Sequence, residues 1–145
     1  MYPRKGISLL FEGMAAEVRQ AGNVIKLESP AVRVERTGDR ITSVVYSHNG
    51  QEERIECDGV ISTLPLPQLV NMMSPALPPS VAEHASKLRY RSLKLIYIAL
   101  KRPVMTDYHW VYLLDEEFRV NRLSEQKNVS AEMVPSDRTV LCIEL

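Results

Sequence analysis

Five prolines, Pro65, Pro67, Pro75, Pro78 and Pro79, fall within fifteen residues near the middle of the 145-residue chain. A proline has no backbone N–H to give to a sheet ladder and its ring obstructs the preceding helical turn. No strand or long helix can therefore run through this stretch, and the chain is expected to divide there, with residues 1–66 on one side and 67–145 on the other. Just upstream, the run Asp58-Gly59-Val60-Ile61-Ser62-Thr63-Leu64 reads as a short strand that stops dead at Pro65. Its apolar residues fall on both faces, the pattern of a central strand rather than an edge strand. Ligands in α/β sheets collect at the carboxyl ends of such strands, so the stop marks a place to look for one.

Upstream, the hydrophobic period changes once. Leu10, Met14 and Val18 recur at four-residue steps beside Phe11 and Ala15, which predicts a helix over roughly residues 8 to 21 with Gly22 as its cap glycine. The period then becomes two. Strands are predicted over 23–28, over 31–35 beyond Pro30, over 41–47 and over 52–57. A Thr37-Gly38-Asp39 turn and the hairpin pair Asn49-Gly50 separate them. The result is a β-meander that leads into the 58–64 strand. Downstream, a short helix is expected around 67–73. Ser80 and Glu83 have capping-box spacing for a second helix ending near Leu88. A buried strand follows over 92–103, and three more at 109–117, 118–125 and 138–145. The fold class read from this order is α+β.

Composition narrows the function. With 45% hydrophobic and 25% charged residues the chain is globular in type. A formal net charge of zero gives no general attraction to nucleic acid or anionic membranes. No apolar run nears the roughly 18 residues of a membrane span, and no signal-peptide pattern opens the chain. Cys57 and Cys142 form no metal-type pair, so a cytoplasmic protein is the expectation. His48, His84 and His109 have no metal spacing, and no metal site is expected. Neither GxGxxG, P-loop nor nucleophile elbow is present, and no catalytic residue can be named. Two basic stretches stand out. One carries Arg89, Arg91 and Lys94 around Tyr90; the other carries Arg122, Glu125, Lys127 and Asn128. Arginine forks suit anions, while a plain Arg122–Glu125 surface ion pair, worth at most about 1 kcal/mol, is the simpler account. The final run Thr139-Val140-Leu141-Cys142-Ile143-Glu144-Leu145 is a core-type strand that stops without a turn, which fits a piece of a longer protein.

The order of motifs resembles a known superfamily. Tyr2-Pro3-Arg4-Lys5-Gly6, the helix, Pro30-Ala31-Val32-Arg33-Val34, the hairpins and Asp58 through Pro65 are similar to the central segment of FAD-dependent amine oxidases and protoporphyrinogen oxidases. Two positions depart from that pattern: Lys5 stands for a glycine and Ala31 for a valine. The second half resembles UDP-galactopyranose mutase, through Tyr90-Arg91-Ser92-Leu93 and the run from Asn121 to Ser130. The resemblance implies part of a two-domain FAD-dependent oxidoreductase fold, with the meander and closing strand in the FAD domain and a mixed-sheet portion of the substrate domain. It implies cofactor contacts at Ala31 and Val32 through the backbone, and at Thr63, Leu64 and Pro65 where the strand ends. It implies an anionic substrate group near Arg91 and Arg122. The partners would be a small-molecule substrate and the remainder of a parent chain. That parent would hold FAD and oxidise the substrate by hydride transfer to flavin; this segment, lacking the pyrophosphate turn, is not expected to hold FAD tightly. A mutase-like flavin-dependent isomerase, or a non-enzymatic interaction domain, are the alternatives.

Overall fold

In the computed structural model, which describes residues 2–115 and 117–145, the chain forms two compact units. Residues 26–90 make one, and residues 1–25 with 91–145 make the other. The division falls at 90/91, after the proline-rich stretch, and the N-terminal helix belongs with the C-terminal half.

Helix α1 (Ser8–Gln20) opens the chain. It closes in a Schellman motif, in which the Gly22 amide bonds Arg19 O and the Asn23 amide bonds Val18 O. Gly22 takes a φ of +79°, a left-handed value that suits glycine. Its apolar stripe, Leu10, Phe11, Met14 and Val18, is exposed. The next residues, 23–28, are irregular rather than a strand, and Val24 and Leu27 face solvent. An extended run becomes a strand only beside another edge, and Pro30 separates this one from the sheet.

The unit of residues 26–90 is built on β1 (Ala31–Thr37), β2 (Arg40–His48) and β3 (Gln51–Glu56), antiparallel neighbours as the turns require. Asn49 and Gly50 both take positive φ, 50° and 78°, the type I′ geometry that matches strand twist. After helix α2 (Leu66–Met72), the two-residue strand β4 (Met73–Ser74) adds in parallel to β1, completing the order β3-β2-β1-β4. Val34, Val45, Tyr46 and Val70 form its core. Residues 58–64 do not form the expected central strand. No ladder partner lies beside them among the described residues, and Ile61 is 98% exposed. Helix α3 (Pro79–Ser86) starts a residue before the capping-box serine. Pro79, whose φ is preset for a first helical position, begins the helix, Ser80 makes no cap bond, and Glu83 pairs instead with Lys87 one turn on at 2.7 Å.

The other unit holds an antiparallel sheet of order β5-β8-β7-β6. Its strands are β5 (Leu95–Leu100), β6 (Trp110–Tyr112), β7 (Arg122–Glu125) and β8 (Thr139–Glu144). Between β7 and β8 lie α4 (Gln126–Val129) and a 3-10 turn at Ala131–Met133. Strand β8 is central and buried; β5, expected to be buried, lies at the sheet edge with Leu95, Ile96, Tyr97 and Ile98 exposed. The apolar run is a strand, but both its faces are bare among the described residues.

Candidate functional site

An open cleft of about 620 Å³ lies in the unit of residues 26–90. Its floor is apolar, from Val34 of β1 and Val44 of β2. Pro30 and Ala31 form one rim, residues 60–64 the other, and α2 closes a side with Gln68, Leu69, Asn71 and Met72. Local chemistry sets these parts. Proline at 65 fixes the turn into α2, where it is the N-cap, and the Ser62 hydroxyl accepts from the Leu64 amide at 3.2 Å. The Leu66 amide, free at the helix start, donates to the Tyr90 hydroxyl at 2.9 Å.

Of the five residues expected at a cofactor, the structure brings three together: Ala31, Thr63 and Leu64 line the cleft. Val32, where the β1 register shifts between Ala31 and Arg33, is not among the residues lining it, and Pro65 stands just outside as the helix N-cap. Strand β4 covers the outer edge of β1 only at Val34 and Glu35, so the backbone edge beside Ala31 and Val32 is uncovered by any described strand. Sequence reading missed Gln68, Asn71 and Met72, whose polar and apolar atoms complete the wall. The only signal was the short helix following Pro65, because nothing in its pattern tells which neighbour it faces.

Beside the cleft unit's core, Glu35 anchors a polar network on the sheet. Its carboxylate accepts from the Ser43 hydroxyl at 2.6 Å, from Arg54 at 2.8 Å and from Arg33 at 3.3 Å. These bonds, the Ser43 hydroxyl foremost, lower its pKa to about 2.

In the second sheet, Arg122 is committed to protein partners. Its guanidinium pairs with Glu144 directly across the ladder, bonds the Tyr112 hydroxyl at 3.3 Å and lies 5.7 Å from the Tyr112 ring. The Glu144 contact, then Tyr112, pushes its pKa up. The ion pair foreseen with Glu125 is absent, for a reason visible in the alternation: Arg122 and Ser124 share one face, Leu123 and Glu125 the other. Glu125 is 1% exposed. It accepts from the Met105 amide at 2.9 Å, the Thr106 amide at 2.6 Å and hydroxyl at 2.9 Å, and the Thr139 hydroxyl at 2.6 Å. Burial alone would raise its pKa; these four donors outweigh it and hold the carboxyl below the usual range. Asn128 donates to Thr106 O and Tyr108 O, and Lys127 caps the carbonyls of Pro135, Ser136 and Arg138. The second basic stretch thus ties loops together. Arg91 is exposed on the segment entering β5, and Leu95, Glu144 and Arg122 are in register, which sets both arginines toward one end of the sheet without a contact between them. Among the described residues no cluster suits a metal ion, and no helix is long and apolar enough to cross a membrane.

The fold is of the α+β class, with two sheets in two units. The crystal structure of reduced UDP-galactopyranose mutase superposes with a TM-score of 0.82 over 99% of this chain and 31% of that one, at 18% identity. The sequence matches the flavin containing amine oxidoreductase family over residues 1–139, and the chain belongs to that family. A phytoene dehydrogenase of Streptomyces griseus is 39% identical over 66 residues, which are 46% of this chain and 12% of that protein. The chain therefore spans well under half the length of each of these two proteins.

Proposed function

We propose that this chain is part of an FAD-dependent oxidoreductase acting on a small molecule, and that the cleft bounded by Ala31, Thr63 and Leu64 takes a portion of the FAD. The observation that carries this reading is the cleft itself, which gathers three of the five residues the family resemblance points to. Its chemistry fits the group. The uncovered backbone edge at Ala31 and Val32 offers N–H and C=O to the rim of a heteroaromatic ring, and such bonds do not depend on the side chain. Val34, Val44 and Leu69 offer apolar contact to its faces. When bound, the flavin would supply the redox chemistry, accepting a hydride from a C–H bond while the adjoining C–N or C–C single bond becomes double and a second hydrogen leaves as a proton. This chain's residues bind and orient; none of them is assigned a proton-transfer step. In this reading the unit of residues 26–90 serves the cofactor and the unit of residues 1–25 with 91–145 the substrate, so the division expected at 66/67 moves to 90/91. The two cysteines are free thiols, which accords with a reducing, cytoplasmic setting.

A second reading, a flavin-dependent isomerase acting like UDP-galactopyranose mutase, draws on the shared fold and on Arg91 and Arg122 at one end of the second sheet. The Glu144 pair counts against it, because it leaves Arg122 without net charge for an anion. The local likeness to a dehydrogenase favours oxidation.

The test is flavin content. In a natural protein that carries this chain, Thr63→Trp should fill the cleft from its exposed rim and abolish flavin retention while the protein stays folded. Full flavin occupancy in that variant would place the cofactor elsewhere.

A further inference from the structure

The ladder register lays out one face of the second sheet row by row, because residues directly opposite in an antiparallel pair share a face. One row runs Leu95, Glu144, Arg122, Tyr112; the next runs Tyr97, Cys142, Ser124, Trp110. Three aromatic rings stand on these two rows, and all are open: Tyr97 is 61% exposed, Trp110 55% and Tyr112 50%. The charges of these rows are Arg122 and Glu144, and they neutralise each other. Lys94 pairs through its backbone with Leu145, one residue out of step, and so lies on the opposite face. Farther along the same face, a cleft of about 370 Å³ opens between Tyr97 and Val140 of the sheet, Tyr2 and Ile7 of the N-terminal segment, and Met133. That cleft is built by a specific anchor: the Ser130 hydroxyl bonds Arg4 O, Arg4 pairs with Glu132 at 3.5 Å, and Gly6, with φ of +102°, packs by Met133.

We propose that this face is a binding wall for the flat, uncharged, π-rich part of a small-molecule substrate, with Tyr97, Trp110 and Tyr112 as its specificity-determining residues. The inference rests on the reading of this unit as the substrate side and deepens it by giving the chemical class. Rings present large, rigid contact area and prefer offset or edge-on aromatic partners. Such a floor suits a planar apolar ligand running from the open rows into the cleft at Tyr97. It does not suit a diphosphate, which needs unneutralised donors; here the guanidinium already has its carboxylate, and displacing Glu144 would leave a nearly buried acid unpaired.

Trp110, the chain's single tryptophan, is the reporter. The protein is labelled with 5-fluorotryptophan, and the Trp110 fluorine signal is assigned as the one lost in Trp110→Phe, a procedure that works equally in the 145-residue chain and in any longer natural protein carrying it. The probes are 1-naphthalenemethanol, flat and uncharged, and inorganic pyrophosphate, charged and without a ring. The signal should shift saturably with the first and stay fixed with the second. Tyr97→Ala and Tyr112→Ala should each weaken the naphthalene response about two- to tenfold. A signal that moves with pyrophosphate, or with neither probe, or that is indifferent to both tyrosine changes, overturns the proposal. Flavin content measured on the same longer protein separates the two ideas: flavin bound with the signal unmoved sinks only the aromatic wall, whereas absent flavin sinks the oxidoreductase reading.

Discussion

The two sheets use the same kind of group, a glutamate on a strand, in opposite ways. In the first sheet Glu35 sits at the surface among Arg33, Arg54 and Ser43, and the strands around it are joined by tight turns at residues 38–39 and 49–50. The turns set the register and the polar network decorates it. In the second sheet β5 and β6 are separated by the irregular stretch 101–109, which contains Pro103 and has no ladder of its own. There Glu125 stands in for the missing ladder, taking the Met105 and Thr106 amides into its buried carboxylate. A chain can fix a loop cheaply by turn chemistry when it is two residues long; a nine-residue loop needs an internal acceptor.

The comparison is tested most severely at Glu125. Glu125→Ala leaves the buried Thr139 hydroxyl and two part-buried backbone amides without their acceptor, and an unmet buried donor costs about 1–3 kcal/mol. The loss should be at least about 2 kcal/mol in urea unfolding. A cost near that of an ordinary surface change would mean that the loop is held by something else. In the first sheet the largest effect should come from apolar packing rather than from the acid. Val34→Ala, at a position 3% exposed, should cost about 1.5–3 kcal/mol, and more than any change at Glu35.

Glu35 should instead reveal itself through pH. Its folded-state pKa is lowered to about 2 from an ordinary 4.5, so the unfolded chain takes up its proton first as the solution is acidified. The stability it contributes is complete above about pH 4.5 and is lost as pH falls toward about 2. The difference between unfolding curves of the native chain and Glu35→Gln should therefore shrink across that window. A difference that is flat from pH 6 to 2 would show that the Ser43 and Arg54 contacts do not persist in solution. Glu125, also held low, shares the sign, which is why the variant difference and not the native curve alone is diagnostic.

Where the chain was legible, the rule was local. Asn49-Gly50 predicted its hairpin because a type I′ turn needs two positive φ values, and the four-residue steps of Leu10, Met14 and Val18 predicted α1. Where reading failed, the answer lay in what a segment meets. The 58–64 and 92–103 runs have core-strand composition, but composition cannot say whether a neighbouring edge is present: the first has none among the described residues and the second has one on a single side. Val60 and Ile61 accordingly line a cleft instead of filling a core. The Ser80/Glu83 signal lost to Pro79, whose fixed φ outranked a cap. At the site, Ala31, Thr63 and Leu64 were nameable through family resemblance and were found together, while the helix α2 wall was not, because its spacing is equally good for any partner. Glu125 could have been found: alternation pairs it with Leu123 on the inward face, and a carboxylate on an apolar face announces a set of donors waiting for it.

The smallest expected effect falls on a residue of the run that reads, in the sequence, as a central strand. Read as a central-strand core position, Ile61 would lose about 2–5 kcal/mol on truncation to alanine. Standing 98% exposed on the rim of the cleft, it buries almost no area to lose, and Ile61→Ala should change the stability of the 145-residue chain by less than about 0.5 kcal/mol. The same change acts differently if the cleft is occupied. A ligand against the rim would cover the side chain, so in a natural protein carrying this chain Ile61→Ala should weaken flavin retention while leaving the unfolding of the flavin-free form unaltered. Urea melts of both forms, with flavin release followed by its fluorescence, separate these cases. A large loss in the flavin-free chain would restore Ile61 to a packed strand and remove one wall of the proposed cofactor cleft.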